Sequence, residues 1–198
     1  MAPMVVDPQR VRSFADKAAF ADWLSANHDR EPELWIRVFK VRSGVASITI
    51  PETIDVCLCW GWIDGIKKGL DDVSFLQRYT PRGRKSVWSQ VNVANVARLI
   101  EQGAMTPHGL KHVEAARADG RWDAAYRISG ATAPDDLMAA IDADPAARAA
   151  FDGLTSQNRF AVIFRTEAMK TPAGRRKKIA DLTAMLARGE TPYPQKRR

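Results

Sequence analysis

Apolar positions along the first third of the chain change period several times, and each change predicts an element. Phe14, Ala18, Ala21 and Leu24 recur at helical spacing with Trp23 beside them, which predicts a helix over about 14–27. Ser13 followed by Asp16 reads as its N-cap and acidic first turn. Residues 34–40, Leu-Trp-Ile-Arg-Val-Phe-Lys, are rich in β-formers and carry apolar side chains on both faces. That is the pattern of an interior strand, with Trp35, Arg37 and Phe39 on one side and Leu34, Ile36 and Val38 on the other. After the short β-branched stretch 47–50, Pro51, Glu52 and Asp55 suit the first turns of a helix that Gly61 closes. Trp62 to Lys68 and Val73 to Tyr79 then alternate about Asp71-Asp72, which predicts a hairpin across 62–80.

From residue 86 the pattern becomes helical. Ser86 is the expected cap of a helix over 87–101, and Thr106-Pro107 opens the next, stopped by Gly120. Pro134, Asp144-Pro145, Thr155 or Ser156 and Thr171-Pro172 open four more, the last closed by Gly189. The expected fold class is therefore α+β: a small antiparallel sheet with N-terminal helices, followed by a mostly helical C-terminal half. Residues 1–130 are expected to form the α+β domain. Residues 131–198 are expected to form a helical region with a basic tail, packed on the first.

Composition narrows the function classes. The chain has 198 residues, 45% hydrophobic and 27% charged, a soluble globular balance with core enough to need no disulfide or metal staple. Its two cysteines, Cys57 and Cys59, lie one residue apart and cannot tie distant segments together. No apolar run reaches membrane-span length, and the N-terminus lacks a secretory pattern. A cytoplasmic location is expected. The net charge of +7 is concentrated at one end: residues 155–198 carry 11 basic and 3 acidic side chains. The runs Arg175 to Lys178 and Lys196 to Arg198 read as a solvated helix face and tail. They read alternatively as a weak, sequence-independent nucleic-acid surface, although no aromatic residue interleaves with the first run.

Chemistry-capable residues crowd between 57 and 92. Arg78, Arg82, Arg84 and Lys85 place four cations within eight positions, ahead of the helix expected at Ser86. Arginines beside a helix N-terminus suit a phosphate or carboxylate. The candidate ligand-binding set is Trp62, Asp64, Arg78, Arg82, Arg84, Lys85, Ser86, Trp88 and Asn92. The tryptophans would serve as walls or as core, and Asp64 would orient a ligand or pair with Arg78 or Arg82. Counting outward from a turn at 70–72 puts Asp64 opposite Arg78. An enzyme built on the Asp64 and Arg82 neighbourhood is a further alternative, but no nucleophile and base stand at a supporting spacing, so no catalytic residue is assigned. Cys59 reads as structural, and Cys57 and Cys59 on a helix point about 200° apart. His108 and His112 share a helix face at i, i+4, but no glutamate sits between them and Lys111 would repel a cation. His28 reads as a residue at the end of the first helix. No metal and no cofactor are expected.

Several long motifs carry a resemblance. Cys59-Trp60-Gly61-Trp62-Ile63-Asp64-Gly65, Arg78-Tyr79-Thr80-Pro81-Arg82, Lys85-Ser86-Val87-Trp88-Ser89 with Asn92, and Glu101 to Pro107 belong to it. So do Asp119 to Tyr126, Pro134 to Leu137, and Asn158-Arg159 with Lys170-Thr171-Pro172 and Arg175. Over about residues 14–192 the chain resembles the YdeI/OmpD-associated family, also labelled bacteriocin-protection proteins. It departs at Trp60, where phenylalanine or tyrosine is commoner in the family pattern. The resemblance implies a soluble bacterial protein linked to envelope or antimicrobial-peptide stress, acting by binding a ligand or a protein partner. It carries over no catalytic residue.

Overall fold

The computed structural model describes residues 5–126 and 132–195, and its contacts divide the chain into two compact units, 1–126 and 127–198. The expected domain boundary at 130/131 and the tail Lys196 to Arg198 lie outside the described residues.

The first unit is the α+β one. A four-stranded sheet has the order β1-β2-β4-β3, from β1 (Val11–Arg12), β2 (Leu34–Phe39), β3 (Trp62–Gly69) and β4 (Ser74–Pro81). The short β1 pairs parallel to β2 and the other pairings are antiparallel. β2 is interior, as its two apolar faces require. The helices are α1 (Lys17–Asn27), α2 (Ile50–Trp60), α3 (Gln90–Glu101) and α4 (Pro107–Ala118).

Helix α2 is the hub. Thr49 and Glu52 form a reciprocal capping box at its start, and Gly61 ends it in the left-handed region at φ 72°, where a side chain would be strained. One face, with Val56 and Cys57, joins Phe20, Leu24, Ile36, Trp62 and Tyr79 in a core under the sheet. The opposite face, with Leu58 and Cys59, joins Trp88, Val96, Leu99 and Val113 in a second core. The two cysteines thus face different cores, as a two-residue offset on a helix dictates. Inside the first core, Thr53 Oγ1 and Tyr79 Oη lie 2.6 Å apart, so neither hydroxyl is stranded. Burial raises the Tyr79 phenol above its ordinary value, more than the Thr53 bond lowers it.

Three expectations are corrected. First, α1 begins at Lys17, and its cap is Asp16, which accepts from Ala19 N at 2.9 Å. Ser13 is no cap, because Phe14 is drawn into the core and its carbonyl accepts from Ile48 N at 3.0 Å. Second, α3 begins at Gln90 and is capped by Ser89, not Ser86. Trp88 and Gln90 exchange backbone bonds with Tyr126, which holds the preceding residues extended. Third, Asp64 lies opposite Tyr79, not Arg78. The hairpin is centred at residue 72, one later than a turn at 70–72 implies, which alone would pair Asp64 with Thr80. A bulge between Asp64 and Lys67 brings the partner back by one residue. Gln77 Nε2 closes that bulge on Gly65 O at 2.8 Å. A one-residue shift moves a side chain to the other face of the sheet.

The second unit is helical: α5 (Asp135–Asp142), α6 (Pro145–Asp152), α7 (Ser156–Glu167) and α8 (Pro172–Ala187). Leu137, Ile141, Phe151, Val162, Leu182 and Leu186 form its own core. Thr155 caps α7, and both α6 and α8 carry proline in the first turn behind a capping Asp144 or Thr171.

Candidate functional site

The residues chosen from sequence separate into two groups. Trp62, Asp64, Arg82 and Asn92 do converge, around a void closed by Ile54, Cys57, Leu58 and Ile63 that has no room for a water molecule. Arg82 is 4% exposed. Its Nη1 donates to Val87 O at 3.0 Å, its guanidinium lies 3.9 Å from the Trp88 ring centre, and its Nη2 has no partner. Burial lowers its pKa to about 10, against the opposing pull of Asp64. Asp64 is exposed as a residue, yet desolvation of its carboxyl outweighs Arg82 and raises its pKa. The two are electrostatic partners but form no ion pair among the described residues.

The other members of the set hold the structure or lie on the surface. Trp62 and Trp88 are both core residues, 1% and 2% exposed. Trp62 Nε1 donates to His28 O at 3.1 Å, and Trp88 packs edge-on against Trp122. Arg78 pairs with Glu33 at 2.6 Å rather than with Asp64. Ser86 lies in a turn, where its carbonyl accepts from Arg121 Nη1 at 2.9 Å. Arg84 and Lys85 are exposed and form no ion pair among the described residues. Asn92 sits in the first turn of α3, its N–H capped by Ser89 Oγ at 3.1 Å. The thiols are inert by environment. Burial pushes Cys57 well up and, with Asp55 adding to it, takes Cys59 to about 11.

A second cluster was not legible locally. The ends of α1 and α2 and the start of α4 enclose a surface recess of about 220 Å³, and the chain's three histidines all line it, with Trp60 and Lys111. The close approach of α4 to α2 builds it. Gly109 packs on the Leu58 and Cys59 carbonyls, where a Cβ would overlap both oxygens and lie 2.7 Å from the Cys59 carbonyl carbon. Thr106 Oγ1 donates to Cys59 O at 2.5 Å, which satisfies one of the free carbonyls at the end of α2. His108 and His112 flank Gly109 by sequence and are carried to the α2 terminus by that contact. His108 stacks on Trp60 at 17° between planes, and His28 Nε2 lies 3.1 Å from His108 Nδ1. His28 is itself set by its Nδ1, 3.0 Å from Leu24 O. Burial, then the positive charge of Arg82, Lys111 and Arg121, lowers the His112 pKa. Asp29 also borders the recess, its carboxylate 3.9 Å from Arg30 Nε.

Among the described residues no group of three His, Cys, Asp or Glu side chains is placed to hold a metal ion. In the second unit, Arg175 pairs with Asp136 at 2.6 Å and Lys177 with Asp181 at 2.9 Å. Arg176 and Lys178, from the same run, form no ion pair among the described residues. No helix of the described residues is long and apolar enough to cross a membrane.

Residues 12–112, just over half of the chain, match the family described as a domain of unknown function, DUF8412. The chain belongs to that family. The recess lies wholly inside the matched segment. Residues 130–189 match a second family, described as bacteriocin-protection, YdeI or OmpD-associated. The resemblance read from the sequence is therefore present over most of the second unit, while the motifs between residues 59 and 92 fall inside the first match. No curated protein and no solved structure matches the chain.

Proposed function

We propose that this is a ligand-binding protein of bacteriocin or envelope-stress protection, acting in the cytoplasm, and that it takes a small anionic ligand in the histidine recess. The observation that supports the site is the convergence of His28, His108, His112, Lys111 and Trp60 on one accessible hollow. The void beside Arg82, by contrast, cannot admit even water. Besides burial, the positive charge of Arg82, Lys111 and Arg121 lowers the His112 pKa, and that field attracts an anion. Imidazole and ammonium donors supply charge-assisted hydrogen bonds to a carboxylate or phosphate. The link to bacteriocin protection rests on the second-unit family match.

A thermal-shift series with small carboxylates and phosphates tests the site. The protein should be stabilised, and Lys111→Ala should abolish the effect. The Arg84→Ala/Lys85→Ala pair should leave it intact. Loss in the latter variant alone would return the site to the arginine cluster.

A second reading is weak nucleic-acid binding by the C-terminal basic surface, favoured by the unpaired Arg176 and Lys178. Such binding would read no sequence and would fall steeply with salt.

A further inference from the structure

We infer that the turn between β3 and β4, together with the loop that follows β2, is a docking tip for the surface of an anionic lipid bilayer. This goes beyond the recess and is independent of it. The recess is bordered by Trp62 and Pro81, which pair at the open end of the same hairpin. Ten large apolar side chains are exposed among the described residues, and four of them, Val41, Val45, Leu70 and Val73, stand at this tip, 42% to 101% exposed. Single exposed valines are ordinary on a protein surface, whereas a group of them marks an interaction site.

Hydrogen bonds join the two loops into one unit. Lys40 N donates to Val73 O at 2.8 Å, directly beyond the last β2–β4 pair, Phe39 with Ser74. Lys40 Nζ donates to the carbonyls of Asp71 and Asp72 at 3.3 and 2.9 Å. Asp71 Oδ1 accepts from Val73 N, Ser74 N and Ser74 Oγ, which fixes the turn. Gly44 closes the loop turn at φ 70°, and Ser47 Oγ accepts from Phe39 N at 3.1 Å as the chain returns to β2. The valines are thus held outward by bonded backbone, and burying them would break those bonds.

Charge and shape decide the occupant. Lys40 and Arg42 flank Val41, and Lys67 and Lys68 precede Leu70 by two or three residues. Asp71 is already paired with Arg37 at 2.7 Å, so Asp72 is the one acidic side chain here left to oppose those four cations. Phosphate headgroups complement such a rim. The shallow layer beneath them accepts protruding aliphatic side chains at any spacing. A protein partner would need a matching pocket for each, and Val41, at 101%, is as exposed as in an unfolded segment.

Co-sedimentation of the full chain with vesicles tests this, with equimolar phosphatidylglycerol and phosphatidylcholine set against phosphatidylcholine alone. Binding to the mixed vesicles is expected, and none to the neutral ones. Val41→Ser/Leu70→Ser should weaken binding about ten-fold or more. Arg42→Gln/Lys67→Gln should weaken it roughly thirty-fold, since each cation near such a surface is worth about five-fold. Asp72→Asn removes the opposing charge and should tighten binding about five-fold, a gain that misfolding does not imitate. A polarity-sensitive fluorophore on Val41→Cys should shift to the blue with mixed vesicles, and the buried Cys57 and Cys59 take no label in the folded chain. Circular dichroism checks that every variant is folded. Failure to bind mixed vesicles, the result expected if the tip serves a protein partner, overturns the proposal. So does an unshifted fluorophore. Binding indifferent to the tip variants but lost in Arg176→Gln/Lys178→Gln overturns it too, and places the lipid contact in the second unit.

Discussion

Replacing Gly109 with alanine sets two effects of similar size against each other. In a solvent-exposed helix the change would stabilise by about 1 kcal/mol, because alanine loses less backbone entropy. Here the new methyl would overlap the Leu58 and Cys59 carbonyl oxygens and sit 2.7 Å from the Cys59 carbonyl carbon, against an ordinary carbon contact of about 3.5 Å. Both offending groups are backbone of α2 and cannot rotate away, so α4 must retreat by close to 1 Å. Overpacking of this kind costs about 1–3 kcal/mol, and the retreat also lengthens the Thr106 to Cys59 bond. Net destabilisation of about 1–2 kcal/mol is expected, which lowers a urea midpoint by roughly 0.5–1 M. All six tryptophans lie in the first unit, so tryptophan fluorescence follows this unit alone. A raised midpoint for Gly109→Ala would refute the close approach, and with it the placement of His108 and His112.

Other substitutions test the remaining parts. Arg82→Met keeps an apolar stem over Trp88 and removes a buried charge, so it should cost less stability than Arg82→Ala, which leaves a hole worth on the order of 2 kcal/mol; equal losses in urea titrations would contradict a packing role. In the native protein Cys57 and Cys59 should resist a thiol reagent at pH 8, and both should react once urea unfolds the chain. Thr53→Val should destabilise the first unit more than Tyr79→Phe in the same urea assay. It strands a buried phenol, at about 1–3 kcal/mol, whereas the reverse change leaves Thr53 Oγ1 bonded to Ile50 O at 2.8 Å. The His112 pKa is lower folded than unfolded, so the unfolded chain takes its proton first. Its contribution is complete above the ordinary imidazole value and disappears as pH falls through the folded value. His112→Gln should flatten that part of the stability profile, and an unchanged slope would show that the burial of His112 does not matter.

Local chemistry made most elements readable in advance. Gly61 ends α2, Thr106-Pro107 opens α4 and Thr171-Pro172 opens α8, because caps and proline act within a few residues. The misplacements come from distant partners. Ser13 and Ser86 are plausible caps, but the Phe14 carbonyl is claimed by Ile48 and the backbone at 88–90 by Tyr126. The register error at Asp64 comes from a turn centred one residue later than expected, only partly offset by a bulge just after Asp64, and nothing in the local sequence announces either. Of the candidate site, the hairpin alone pointed to Arg78 as the neighbour of Asp64, whereas it is Arg82 that borders the same void. Whether they bordered a roomy pocket or a narrow void depended on Leu58 and Ile54 from α2. The histidine recess was the least legible part. His28 and His108 are 80 residues apart, and the feature that joins them is the absence of a side chain at Gly109. No spacing rule reads that absence.

Proton-detected correlation of the imidazole nitrogens addresses the central claim most directly, since each of the three histidines reports separately on tautomer and surroundings. The free protein should show His28 with its hydrogen on Nδ1. Titration with phosphate should then shift His28, His108 and His112 together with Lys111, and leave the Arg84 and Lys85 amides where they were. Shifts confined to Arg84 and Lys85, or no histidine response at saturating phosphate, would contradict the assignment of the recess as the ligand site.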